Sequence, residues 1–489
     1  ATLAAADRAI SLHSHRQAIS YLEQALTVTH DAAQRAAIHE RIVVSSEYAG
    51  AVDIPADHGR QAMDAYREAG DEAGRLRAAT LMARSLINFH LEDEAAAALQ
   101  SALEEAKPLG EVPALAKAYA ELARAEMLAE RHAESIAAAD QALRMGSIAD
   151  AETMVEALVT KGTSMTPSQR NVEAEAILRG AIHLADDLGL IQAGLRARNN
   201  LSGPLSFRDQ AEAGRMIREG YEIANRFGHR PFVYQFLYAA LEADLRTGEW
   251  DDNIGELDAI EENETPWPFY QIAFSGMRAM RAALRGDLAS AEEMLRLADA
   301  TLPELQSIQS EAFVQLAWAH VLFAAGRWEE AIEHGRQAGA NSNFTIDAWW
   351  ITANAAAAAD LRPVLIEASD GIVSLASFPG PIRDALHGGA QAALAAREGR
   401  WQEAHAGFSA AVRHLTEQGE LYYASLAGLL WDALSAGRDP DATQAGRDAA
   451  AFFEEHRAAA FVERYRSAFV PSAPEPAPQD AAARTLAEA

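Results

Sequence analysis

Cysteine is absent from the 489 residues, which excludes disulfides, thiol catalysis and thiolate zinc sites. Its absence fits a reducing, cytoplasmic setting. Strictly alternating β-branched runs are nearly missing, so little in the chain reads as a half-buried strand. No uninterrupted apolar run reaches the ~18 residues that a spanning helix needs. The best stretch, 312–325, is broken by Gln315 and His320. The opening residues carry no signal-peptide pattern, and the chain starts at Ala1 already in helical register, which reads as a piece of a longer protein. Positive charge is scarce: Lys plus Arg is 42 against 71 for Asp plus Glu, a net charge of −29. Such a surface repels phosphate backbones and anionic lipid, so neither nucleic acid nor a membrane is an expected partner.

Catalytic wording is missing as well. There is no G-x-x-x-x-G-K-[ST] phosphate loop and no H-E-x-x-H, since His39-Glu40 continues as Arg-Ile-Val. Asp251-Asp252-Asn253 does not continue into a calcium loop, and Gly388-Gly389 lacks the strand of a dinucleotide site. No nucleophile, base and orienting group stand in a recognisable spacing. The expectation is a chain with no catalytic residues, no metal and no cofactor.

What is present is repetition. Glu311 to Ala340 reads EAFVQLAWAHVLFAAGRWEEAIEHGRQAGA, two apolar-striped helical segments joined by a short turn. The phrase returns as AAREGRWQEAHAGFSAAV (395–412) and ALRGDLASAEEMLRLA (283–298). Small residues at one position of each second segment form a ladder: Ala18, Ala62, Ala95, Ser135, Ala174, Ala213, Asn253, Ala291, Ala331, Ala368, Ala404, Ala445. Its eleven steps span 427 residues, a mean near 39. Spacings of 4 and 3, as in Ala404–Phe408–Ala411, place these residues on one helical face. The first two rungs are 44 apart, which puts Ile54-Pro55 in an expanded turn. Gly248, Gly286, Gly326 and Gly399 mark hairpin turns, and Pro204, Pro231, Pro363 and Pro381 mark element ends or starts. A single core rarely grows past about 300 residues, whereas stacked hairpins need bury only their mutual faces.

The phrase G-[RD]-[WL]-x-x-A-x-x-x-[FL]-x-x-A, with Ala83, Ala123, Ala279, Ala319 and Ala392 at the small first-helix position, resembles tetratricopeptide repeats. The period is longer than the usual one of about 34, and most repeats lack the closing proline. HEAT-type repeats, of similar period but without the Gly-aromatic turn, are the second reading. The resemblance implies an all-α solenoid superhelix of about twelve hairpins over 1–470, followed by a disordered Pro/Ala-rich tail at 471–489. Two shorter stretches, AAADRAISLHSHRQAISYLEQAL (4–26) and AAAFFEEHRAAAFVERYRSAFVP (449–471), resemble the C-terminal repeat regions of large bacterial signalling proteins. Those place an ATPase of the AAA or STAND type upstream, with a class III nucleotide cyclase or a LuxR-type DNA-binding domain as output.

The same resemblance puts the first helix of each hairpin on a concave inner wall. Counting back from the ladder gives the inward positions Lys117, Glu121 and Arg124; Thr160 and Thr163; Arg198 and Asn199; Tyr238 and Glu242; Phe313 and His320; Trp350 and Asn354. Polar groups beside rings suit a protein, peptide or small-molecule effector. Arg124, Arg198 and Asn199 offer charge-assisted contacts to a carboxylate. Tyr238 and Trp350 are expected partly exposed there, and Trp250, Trp328 and Trp401 structural at the turns. The functional expectation is a non-catalytic sensor or docking arm that regulates upstream domains of the same chain. A free-standing scaffold or assembly chaperone is the alternative, and an enzyme on a solenoid a remoter one.

Overall fold

The computed structural model describes residues 1–470 apart from 13, 50, 52, 90, 167–169, 306–307, 342–343 and 375–378. The tail expected at 471–489 lies outside the described residues. Among those described there are 25 α-helices and no strand. The first stretch contains α1 (Thr2–Ser11), α2 (His15–Leu26), α3 (Ala32–Ala49), α4 (Ile54–Ala69), α5 (Glu72–Asn88) and α6 (Glu92–Ala106). Next come α7 (Pro113–Leu128), α8 (His132–Arg144), α9 (Ala151–Met165), α10 (Asn171–Leu188), α11 (Ile191–Ser206) and α12 (Gln210–Phe227). They are followed by α13 (Arg230–Thr247), α14 (Ile254–Asn263), α15 (Pro268–Leu284), α16 (Leu288–Thr301), α17 (Ile308–Ala325) and α18 (Trp328–Gly339). The remainder is α19 (Thr345–Ala358), α20 (Arg362–Ile372), α21 (Pro381–Arg397), α22 (Trp401–Glu417), α23 (Leu421–Ser435), α24 (Pro440–Glu455) and α25 (Ala459–Ser467). Twelve hairpins and one closing helix make a tetratricopeptide-like solenoid, each hairpin packed on the next.

The local reasons are short-range. Gly248, Gly286, Gly326 and Gly399 take φ of 93°, 95°, 78° and 76°, the left-handed region that a side chain disfavours, and so close a first helix. Asp71, Asp150, Asp209 and Asp287 each accept a backbone N–H of the following first turn, starting α5, α9, α12 and α16. In eight hairpins the ladder residue is the fourth residue of the second helix, so one turn geometry recurs. Ala18, Ala62, Ala95, Ser135, Ala213, Ala291, Ala331 and Ala368 are fully buried where helices touch. Ala445 is only partly buried, and Asn253 stands just ahead of α14 with φ 56°.

Two expectations are corrected here. Ile54 and Pro55 do not sit in an expanded turn. They open α4, whose ladder residue Ala62 is its ninth residue, so the long first step is helix added at an N-terminus, where proline is tolerated. Pro204 lies inside the last turn of α11 rather than at its edge.

The superhelix differs along its length. Through α12 the hairpins stack on neighbours, and their cores form small separate clusters. From Leu195 to Tyr465 a single cluster runs unbroken. Its cause is the chain's own end: α23 packs on α13 and α19, and α25 packs on α17. Trp250 lies against Tyr422, Phe453 and His456. Arg464 Nε donates to the Ala324 carbonyl at 2.9 Å, and the Tyr465 hydroxyl donates to Asn354 Oδ1 at 3.2 Å. The final helices thus occupy the inner face of the later repeats.

Candidate functional site

The inner wall remains open in the earlier repeats. A cleft of about 680 Å³, continuous with solvent, is lined from α5, α7, α9, α11 and the start of α13. Lys117, Glu121 and Arg124 project from α7 at spacings of four and three, and all three line it. Two hairpins on, the expected positions Arg198 and Asn199 do not line it. Arg198 is buried, its guanidinium clasped by Asp186 at 3.0 and 2.7 Å and by the Gly194 carbonyl at 3.3 Å. Asn199 is half-buried and its amide donates to Asn200 Oδ1 at 3.2 Å. The groups of α11 that line the cleft are Gln192 and Arg196. The signal for them was the repeat of the Lys117–Glu121 spacing four apart, which a count from the ladder missed by two residues.

Charge is distributed unevenly in this cleft. Arg84, Lys117, Arg124 and Arg196 face Glu121, Glu152 and Glu156, four cations against three carboxylates in a chain of net charge −29. Arg196 is held by Glu156 and donates to Thr160 Oγ1 at 2.6 Å. Thr163 accepts from Asn200 at 2.8 Å. Among the described residues Arg124 reaches only Asn88 Oδ1, at 3.4 Å. Burial and then the neighbouring Arg196 hold its pKa below the ordinary arginine value. Arg84 and Lys117 enter no ion pair among the described residues, and Glu121 Oε2 is enclosed with no hydrogen-bond partner. Phe232, half-buried, closes one end with an apolar ring.

The remaining expected groove residues are not on an open wall. Tyr238 is 8% exposed, His320 6%, and Trp350 and Asn354 0%. Phe313 is buried with them. Tyr422 of α23 lies beside Tyr238 and His320 and Tyr465 of α25 meets Asn354, while the Trp350 ring lies against Gly389 of α21, so the extended pocket expected around Tyr238, Glu242, Trp350 and Asn354 does not exist as a groove. Tyr238, Glu242, Phe313 and His320 instead line a smaller recess with Arg246, Asp347 and Tyr422. Burial pushes the His320 pKa down to about 4, so its ring is neutral, with Nδ1 3.5 Å from the Tyr422 hydroxyl. Trp250 is buried at its turn and Trp328 partly so, while Trp401 is 41% exposed beneath the Arg438 guanidinium.

One cluster of metal-ligand type lies elsewhere. A nitrogen of His405 and oxygens of Asp439 and Asp441 fall within 4.8 Å of one another. Asp439 caps α24 through the Asp441 and Ala442 amides and lies 2.8 Å from His405 Nδ1, which accounts for the grouping structurally.

The fold and cleft define a class, a helical-repeat solenoid with an open inner wall over its first part. No protein-family model matches the chain, and no curated protein matches it. Among solved structures, the crystal structure of the yeast Tom70 aligns over 95% of both chains at 12% identity and a TM-score of 0.32.

Proposed function

We propose that the chain is a non-catalytic docking arm whose open cleft binds an extended, acidic segment of a partner protein. The observation that carries this is the local excess of cations, with Arg84 and Lys117 in no ion pair among the described residues, on an otherwise strongly acidic molecule. A carboxylate there meets preplaced donors without displacing an existing ion pair, and the partner's apolar side chains meet Phe232. An acidic partner is repelled by the net charge of the molecule and met here by a local excess of cations, which orients it. Among the described residues no helix is long and apolar enough to cross a membrane.

The finer reading, an arm that regulates an upstream ATPase with a cyclase or transcription-factor output, is supported by the wording of 4–26 and 449–471. A ligand spanning α5 to α13 would bind one superhelical pitch better than others and so bias whatever is attached to α1. A scaffold or assembly chaperone would use the same cleft without that coupling. ATPase rates of a chain carrying the upstream module, with and without peptide, separate the two.

The binding test is fluorescence anisotropy with a short labelled Asp/Glu peptide and a neutral Asn/Gln control. Wild type should bind only the acidic peptide, weakening as salt rises, and Lys117→Glu with Arg124→Glu should lower affinity roughly tenfold or more. Equal affinity in that variant, or equal binding of the neutral peptide, sinks the reading.

A further inference from the structure

The covered part of the superhelix keeps a cavity at its centre, about 390 Å³ of atom-free space with its mouth included. Its walls come from α13, α15, α17, α19 and α23 and are mostly aromatic or thioether: Tyr238, Phe313, Phe344 and Tyr422 with Met277 and Met280. Tyr238 meets Phe313 edge-on at 5.5 Å, and Phe313 lies 5.8 Å from Phe344. Into this apolar setting project two carboxyl groups, Glu242 and Asp347, and one guanidinium, Arg246.

The single cation is already engaged. Arg246 Nε donates to Glu420 Oε2 at 2.8 Å and its Nη2 to Glu420 Oε1 at 2.6 Å, with a further bond to the Ser206 carbonyl at 2.9 Å. Its plane also lies over Phe207 and Tyr423. Asp347 and Glu242 are left without such a partner. Asp347 is 6% exposed, and its Oδ1 is enclosed with no hydrogen-bond partner. Among the described residues no donor reaches the Glu242 carboxylate, which is half-buried on the cavity wall. A buried carboxylate left unmatched is costly, and removal of its charge by a proton or compensation by a cation are the two remedies.

We infer that this cavity is a binding site for a small primary alkylammonium ion. Its N–H groups would donate to Asp347 and Glu242, and its short alkyl part would lie against Phe313, Met277 and Met280. The ring faces favour a cation, but the orphaned oxygen needs a donor, which a quaternary ammonium lacks. A metal ion would find too few oxygens and a wall of rings instead of waters. Burial raises the pKa of both Asp347 and Glu242, and the charge of Arg246, already paired with Glu420, offsets this only in part. The site is separate from the open cleft, so either can fail without the other.

The test is isothermal titration calorimetry of the full chain with n-butylammonium chloride, against potassium chloride and tetramethylammonium chloride. Butylammonium should bind saturably at one site, with tetramethylammonium and potassium silent. Asp347→Asn, which keeps shape and removes charge, should weaken it roughly tenfold or more while the circular-dichroism melt shows a folded chain. Glu242→Gln, on the half-exposed lip, should weaken it too, and it decides alone if Asp347→Asn does not fold. No saturable heat with butylammonium overturns the inference. So does displacement by equal potassium, or wild-type affinity in every folded variant.

Discussion

Helices α7 and α19 hold the same place in their hairpins, yet they meet opposite surroundings. The first presents Lys117, Glu121 and Arg124 to an open cleft, whereas the second buries Trp350 and Asn354 completely. The repeat that made them is the same, and the difference is what lies opposite. Over α7 there is solvent. Facing α19 and α17 are α23 and α25, returned from the end of the chain. An inner wall is therefore a position in the repeat, and whether it is a surface depends on distant segments.

The contrast can be broken most severely at Arg246. Arg246→Ala would leave Glu420, which is fully buried, without its counter-ion beside two more carboxyl groups, and should cost about 3–5 kcal/mol in urea unfolding. Trp350→Ala should cost about 3–5 kcal/mol by emptying a core site, although an exposed ring there would have made the change nearly silent. An unchanged unfolding midpoint for Trp350→Ala would mean that the ring is not packed between α19 and α21 in solution.

The cavity carboxyls make a pH prediction confined to the covered half. Asp347 is pushed from 3.8 up to about 7, mainly by burial, so the folded state favours its neutral form. The stability it contributes is complete below its unfolded pKa and is lost as pH rises toward 7. The groups facing it are Glu242 and Arg246 from α13, His320 from α17, and Glu420 and Tyr422 at the start of α23. His320, pushed down to about 4, acts oppositely: its contribution is present above pH 6.5 and lost on acidification. Asp347→Asn should therefore remove a decline on the order of 2 kcal/mol on the way to neutral pH, leaving the acid-side loss in place. Thermal melts across that range check it, and an unaltered slope in the variant contradicts it.

Ala331→Leu adds bulk at a fully buried helix contact and should cost about 1–3 kcal/mol by the same melts. The smallest stability change belongs to the open half. Lys117→Glu with Arg124→Glu should stay within about 1 kcal/mol of wild type in unfolding while losing acidic-peptide binding. A large stability loss there would show that the cleft residues are packing groups.

Some of this contrast could be read from the residues. An inner helix that meets solvent needs a polar stripe, and α7, PALAKAYAELARAEML, has one. Helices α17, α19 and α23 are apolar nearly all round, as in IQSEAFVQLAWAHVLFAA and LYYASLAGLLWDALS. A helix of that kind requires cover on both faces, and isolated polar residues such as His320 and Asn354 do not turn one of those faces to solvent. The register error at Arg198 has a different origin. Its charge suits an open wall, but its rotation around α11 points it at Asp186, and it is not among the residues lining the cleft.

The sequence by itself determined the helical hairpins, their number and most of their contact residues. These follow from small residues at spacings of three and four, glycines able to take positive φ, and aspartates at helix starts, all of which act within one or two turns of chain. Only the tertiary structure decided which part of the inner wall stays open. That depends on the accumulated twist of successive hairpins, which carries α23–α25 back to residues more than a hundred positions earlier: 174 separate Arg246 from Glu420, and 111 separate Asn354 from Tyr465. No local spacing encodes such a meeting, because each hairpin contributes only a small rotation and the closure is their sum.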